Sequence, residues 1–157
     1  MSPSSLKEVL SEAPVFNRMS GDYIERLAGH AVEKSVESGE VLFRIGEPAE
    51  SFFMLIDGEV SIEIPAVSGP TLQVQRLKAV RVLGWSWLLP PFKWSFNARA
   101  ETNSRVLVFD GAAVLTDCES DPAFGYEVVK RFSALMAERL DAAHKKMMEQ
   151  WSPAGFA

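Results

Sequence analysis

Gly39-Glu40-Val41-Leu42-Phe43, closed by Gly46-Glu47-Pro48, and Phe53-Met54-Leu55-Ile56-Asp57-Gly58-Glu59-Val60 are the stretches that decide the fold of this 157-residue chain. Each is a short run of β-branched, aromatic and aliphatic residues bounded by residues that favour turns, which is the pattern of strands in an antiparallel sheet. Val41 and Phe43 alternate with Leu42 and Arg44, and Val60, Ile62 and Ile64 alternate with Ser61 and Glu63. This period of two gives each strand one face for a core and one for solvent. Asp57-Gly58 tolerates positive φ at both positions, so it reads as a tight hairpin.

Reading outward, Gly39, Gly46, Gly58, Gly69 and Gly84 punctuate the middle of the chain, and 72–77, 95–102 and 105–110 supply further extended runs. Many short strands at close spacing predict a sandwich or barrel. Upstream, Leu6, Val9 and Leu10 share one helical face. After the break at Pro14-Val15-Phe16, Ser20 can cap a second short helix carrying Ile24, Leu27, Ala28 and Ala31. Helices this short depend on packing against the strands downstream of them.

Downstream of Asp110 the period changes to about 3.6. Asp121 reads as an N-cap with Pro122 at the first helical position, opening a long helix toward Gln150. Phe124, Val128, Phe132, Leu135, Leu140, Ala143 and Met147 form its expected apolar face, with Glu127, Lys130, Arg131, Glu138 and Lys145 pointing elsewhere. That length has two readings, a helix lying across its own barrel or a seam paired with a second copy. Closed twofold pairing is the commonest oligomer, so a homodimer through this helix is the expectation. The tail 151–157, with Pro153 and Gly155, is expected to fray.

Composition narrows the function. A hydrophobic share of 47% and a charged share of 24% are those of a globular protein, and the expected organisation is one domain over 1–157: helices in 1–31, strands in 32–110 and helices in 111–150. A net charge of −5 argues against broad contact with phosphate backbones or anionic lipid. The start lacks a signal-peptide pattern and no apolar run reaches spanning length, so a cytoplasmic address and no membrane contact are expected. Cys118 is the single cysteine and reads as an inert small hydrophobe. His30 and His144 lie far apart in sequence, so no metal site is expected. No nucleophile elbow, phosphate loop or dinucleotide glycine pattern occurs, so neither an enzyme nor a bound cofactor is expected.

The order of elements, with Pro14-Val15-Phe16, Met19-Ser20 and the two stretches quoted first, resembles the cyclic-nucleotide-binding domain of catabolite-activator-type proteins. The resemblance implies a mainly β fold with flanking α: an antiparallel β-roll of the jelly-roll (double-stranded β-helix) type, with two short N-terminal helices and a long C-terminal helix. It also implies a regulatory sensor. Family transcription factors carry a DNA-binding domain after the long helix. With the chain ending at Ala157, direct DNA binding is not expected.

The resemblance places the ligand segment at 83–100. Gly84 matches the family glycine, and Leu88, Leu89, Ala98 and Ala100 match its apolar framework. Trp85 stands where the family has a Glu that holds the ribose hydroxyl, and Trp94 where it has an Arg that forks onto the phosphate. Val80-Arg81 replaces a Gly-Asp turn. An indole offers one neutral donor where a guanidinium offers a charged fork. Losing such a buried charge pair costs on the order of 3 to 5 kcal/mol, several hundredfold in affinity or more.

Two readings of the segment stay open. The indoles fall inward and fill the pocket, or a flat apolar ligand other than a standard cyclic nucleotide stacks between Trp85 and Trp94 with Ser86 and Ser95 as polar anchors. Cyclic nucleotide held in another geometry is a third possibility. The expected ligand site is Gly84, Trp85, Ser86, Trp87, Leu88, Lys93, Trp94 and Ser95, with Lys93 as the best substitute cation.

Overall fold

The computed structural model describes residues 2–150, so the tail expected to fray at 151–157 lies outside them. Helix α1 (Pro3–Glu12) begins with Pro3 in its first turn, and the Ser2 hydroxyl accepts from the Ser5 N–H at 3.2 Å. After the 3-10 turn Pro14–Phe16 comes α2 (Gly21–Ala28), which buries Ile24 and Leu27. Ser20 occupies the N-cap position of α2, but its hydroxyl makes no capping bond. Ala31, read as the end of this helix, instead opens the first strand.

Eight strands come next: β1 (Ala31–Val36), β2 (Val41–Phe43), β3 (Ser51–Asp57), β4 (Glu59–Ile64), β5 (Leu72–Lys78), β6 (Val82–Leu83), β7 (Asn97–Ala100) and β8 (Ser104–Asp110). They form two four-stranded antiparallel sheets in the orders β1-β8-β3-β6 and β2-β7-β4-β5. This is the β-roll the sequence implied.

Asp57-Gly58 is not the hairpin its chemistry suggested, because β3 and β4 belong to different sheets. It is a corner at which the chain crosses between them. Gly58 has φ 103°, and a Cβ there would lie 2.1 Å from the Ser104 hydroxyl. The conformation and the contact both require glycine. Aspartate followed by glycine supplies positive φ for a hairpin or a corner alike, so the dipeptide alone does not report whether the flanking strands pair.

The expected alternation of β4 also fails in part, since Ser61 and Glu63 are buried along with Val60 and Ile62. β4 lies between β7 and β5, and polar neighbours cover its second face. The Ser61 hydroxyl lies 3.0 Å from a Glu63 carboxylate oxygen and 2.6 Å from one of Glu101, and Arg99 pairs with Glu63 at 3.4 Å.

Helices α3 (Gly111–Ser120) and α4 (Pro122–Gln150) complete the described chain. The Asp121 carboxylate accepts from the Phe124 N–H at 3.3 Å, the capping role its position predicts. Two members of the expected apolar face are displaced: Leu140 is 72% exposed and Met147 is exposed as well. The residue that replaces them on the buried face is Arg139. No described helix is long and apolar enough to cross a membrane.

The apolar interior divides in two. One core lies between the helices and the β3/β8 sheet, around Leu10, Phe16, Phe52, Phe109, Phe124 and Phe132. The other fills the roll, around Phe43, Leu55, Val60, Ile62, Leu83 and Ala98.

Candidate functional site

The segment between β6 and β7 meets α4 over the roll, and the residues there enclose a small cavity. Its walls are Phe43, Ile62, Gly84, Trp85, Ser86, Trp94, Ser95, Phe96 and Arg139, and its volume is about 10 Å³. That is room for roughly one water molecule.

Trp94 is what fills the space. Its ring stacks on Phe43 with centroids 3.8 Å apart and planes 15° apart, and Phe53 lies beside the pair, 5.8 Å from Phe43 and 6.3 Å from Trp94. Gly84 makes this possible: at φ 99°, a Cβ on it would stand 2.8 Å from the Trp94 ring. The same glycine therefore serves the turn and the close approach of the indole. Trp85 is half-buried at the mouth, edge-on to Phe96 at 5.6 Å.

Of the expected site residues, Gly84, Trp85, Ser86, Trp94 and Ser95 come together around this cavity. Trp87 and Leu88 do not line it and belong to the helix-side core. There Trp87 packs on Phe52 and Phe132, and its indole N–H donates to the Gly84 carbonyl at 3.1 Å. Lys93 is exposed, and the backbone beside it bridges to Pro48, so it stands outside the cavity. One face of Trp94 is covered by Phe43.

Arg139 is the functional candidate that sequence reasoning missed. It is 1% exposed, and its Nε and Nη2 atoms are buried without a hydrogen-bond partner among the described residues. Burial pushes the guanidinium down to about 10, against the pull of the neighbouring Glu138 carboxylate, and the positive charge of Arg81 acts in the same direction as burial. It remains charged at neutral pH. The signal was available: Val128, Phe132, Leu135, Arg139 and Ala143 recur at steps of four and three, so Arg139 holds a core position by period though not by residue type.

Three other arginines near the segment are engaged elsewhere. Arg81 pairs with Glu138, which also accepts from Gln75 at 3.3 Å; Arg76 pairs with Glu59 at 2.7 Å, and Arg99 with Glu63. An open surface groove of about 470 Å³ runs between α4 and the Pro14-Val15 turn. Its Arg131 is committed to the carbonyls of Val15 and Asn17 and to Glu127. Among the described residues no cluster of His, Cys, Asp and Glu could hold a metal ion. The His30 Nε2–H donates to the Asp117 carboxylate at 2.7 Å, and His144 is exposed.

Comparison with known proteins agrees with this architecture. The cyclic nucleotide-binding domain family profile matches residues 33–121, more than half of the chain. A protein of Rhodopseudomonas palustris, whose name is that of a candidate potassium channel protein, is 26% identical over 121 residues. The match takes in 76% of this chain and 29% of that relative's length. The crystal structure of a candidate cyclic nucleotide-binding protein from Geobacter metallireducens superposes with a TM-score of 0.75 at 24% identity, covering 89% of this chain and 98% of that one. The sensor domain of the transcriptional regulator DNR from Pseudomonas aeruginosa superposes with a TM-score of 0.71 at 19% identity, covering 88% and 93%.

Proposed function

This chain belongs to the cyclic nucleotide-binding domain family, and we propose that it serves as a regulatory sensor module whose resting pocket is filled by its own rings and closed to cyclic nucleotides. The observation that carries this reading is the stack of Trp94 on Phe43 at 3.8 Å, with a cavity of only about 10 Å³ beside it. Trp94 stands where the resemblance puts a phosphate-binding Arg, so the place of the sugar and phosphate is taken by an indole and their charged partner is gone. The role is binding and signalling rather than catalysis. A small ligand of another kind enters between Trp85, Ser86 and Ser95 when α4 shifts, and α4 carries the signal outward.

Calorimetric titration tests this. No saturable heat is expected with cAMP or cGMP up to about 1 mM, where the binding free energy has fallen to about −4 kcal/mol. Stoichiometric uptake of either compound overturns the reading.

A second reading, self-association, is favoured by the outer face of α4. Tyr126, Val129, Leu140, Met147 and Met148 are exposed and fall within roughly 100° of the helix circumference at 3.6 residues per turn. An apolar stripe of that kind fits the same helix of a second copy. Light scattering at working concentration gives a dimer mass if this holds and a monomer mass if it does not.

A further inference from the structure

A ring-filled pocket has no evident use for a buried guanidinium. Arg139 lines the cavity beside Trp85, Ser86 and Ser95. Its two unpartnered atoms, Nε and Nη2, form one edge of the guanidinium, the edge that takes two oxygens of a carboxylate or phosphate in parallel. Among the described residues no oxygen bonds to either atom, and the Glu138 carboxylate next to it is turned to Arg81 and Gln75. The Trp85 ring lies 5.9 Å from the guanidinium carbon, at the outer limit of a cation–π contact. A ring face offers that edge no oxygen acceptor. A charge kept buried and unpaired is costly, and an unsatisfied buried donor needs a reason for being there.

Resting on the reading of a ring-filled sensor pocket, we propose that the Nε–Nη2 edge of Arg139 receives the oxyanion of a small ligand, a carboxylate or phosphate carried on a flat apolar body. Ser86 and Ser95 line the same cavity and bring hydroxyls as neutral donors. Trp85 and Phe96, the edge-on pair with Trp85 half-buried at the mouth, are the rings that move aside. Trp94 stays stacked on Phe43. Arg139 belongs to α4, as do Ala142 and Ala143, which pack against the roll, so engagement of the anion draws that stretch of helix onto the roll. Occupancy is thereby coupled to the position of the helix.

Thermal unfolding of wild type, Arg139→Met and Arg139→Lys tests the assignment, with benzoate and inorganic phosphate as probes and chloride at matched ionic strength as reference. Without probe, Arg139→Met melts several degrees above wild type, because a buried unpaired charge has been removed. Benzoate, phosphate or both raise the wild-type melting temperature by roughly 5 °C or more near a hundred times the Kd. Arg139→Met then responds no more than to chloride, and Arg139→Lys, charged but without the flat edge, responds weakly. The two probes separate a carboxylate ligand from a phosphate one.

The assignment is overturned by a wild type that shifts with neither probe, by equal shifts in wild type and Arg139→Met, or by an Arg139→Met that melts below wild type in anion-free buffer. cAMP uptake by wild type overturns the closed pocket and not the oxyanion assignment, which stands or falls on the benzoate and phosphate comparison.

Discussion

Two tryptophans seven positions apart, Trp87 and Trp94, are 2% and 7% exposed, yet they belong to different kinds of interior. Trp87 packs among Phe52 and Phe132 and has its N–H satisfied by the Gly84 carbonyl. Trp94 lies on Phe43 beside a cavity whose wall includes two serines and a charged arginine with unused donors. The first interior is finished. The second is nearly filled but retains polar groups that a packed core does not need, and that contrast is why the proposed response is placed in the roll rather than in the helix-side core.

The largest expected effect is on the finished side. Trp87→Ala removes a fully packed ring and is expected to cost about 3–5 kcal/mol, read as a fall in the denaturant midpoint. Trp94→Ala is expected to cost about half as much. Its cavity opens onto Ser86, Ser95 and Arg139, where water can enter and find partners. Equal costs at the two sites would erase the distinction drawn between them.

Smaller effects test how the helices are fixed to the two cores. Arg26 of α2 pairs with Asp121 at 2.9 Å. This guanidinium, together with the Phe124 N–H, holds the Asp121 carboxyl below its usual range. A depressed carboxylate contributes stability above its unfolded pKa of about 3.9 and loses it as pH falls through the lower folded value. Asp121→Asn is therefore expected to lower the melting temperature slightly at neutral pH and to flatten its decline in acid. A decline of wild-type steepness in the variant would show that other carboxylates dominate.

The smallest effect is at Cys118, whose thiol burial pushes up to about 11. Iodoacetamide at pH 8 is expected to leave it unmodified in the native protein and to modify it after unfolding. Rapid native labelling would contradict its burial in the helix-side core.

The legibility of these features in the sequence depends on the range of the physics involved. Most of the strands and the start of α4 follow from neighbours along the chain, and alternation, glycines and Asp121-Pro122 revealed them, whereas β1 and β6 carried no such pattern and were not read. The corner at Asp57-Gly58 depends on which sheet receives β4, a decision made by β5 and β7 far along the chain. The gathering of Trp85, Trp94 and the two serines was readable from the 83–100 segment. The separate destination of Trp87 was not, because it is set by Phe52 and Phe132. Arg139 was obscured because residue type outweighed position: Leu140 was assigned the core place that the period gives to its charged neighbour.

The central claim is that Phe43 and Trp94 occupy the roll's pocket together. NMR cross-relaxation between their ring protons, measured with and without about 1 mM cAMP, a concentration that half-fills a site of about −4 kcal/mol and fills tighter ones further, tests it most directly. The account predicts strong Phe43–Trp94 contacts that persist unchanged on addition of the nucleotide. Contacts absent from the free protein, or replaced by contacts from either ring to the nucleotide, would contradict it.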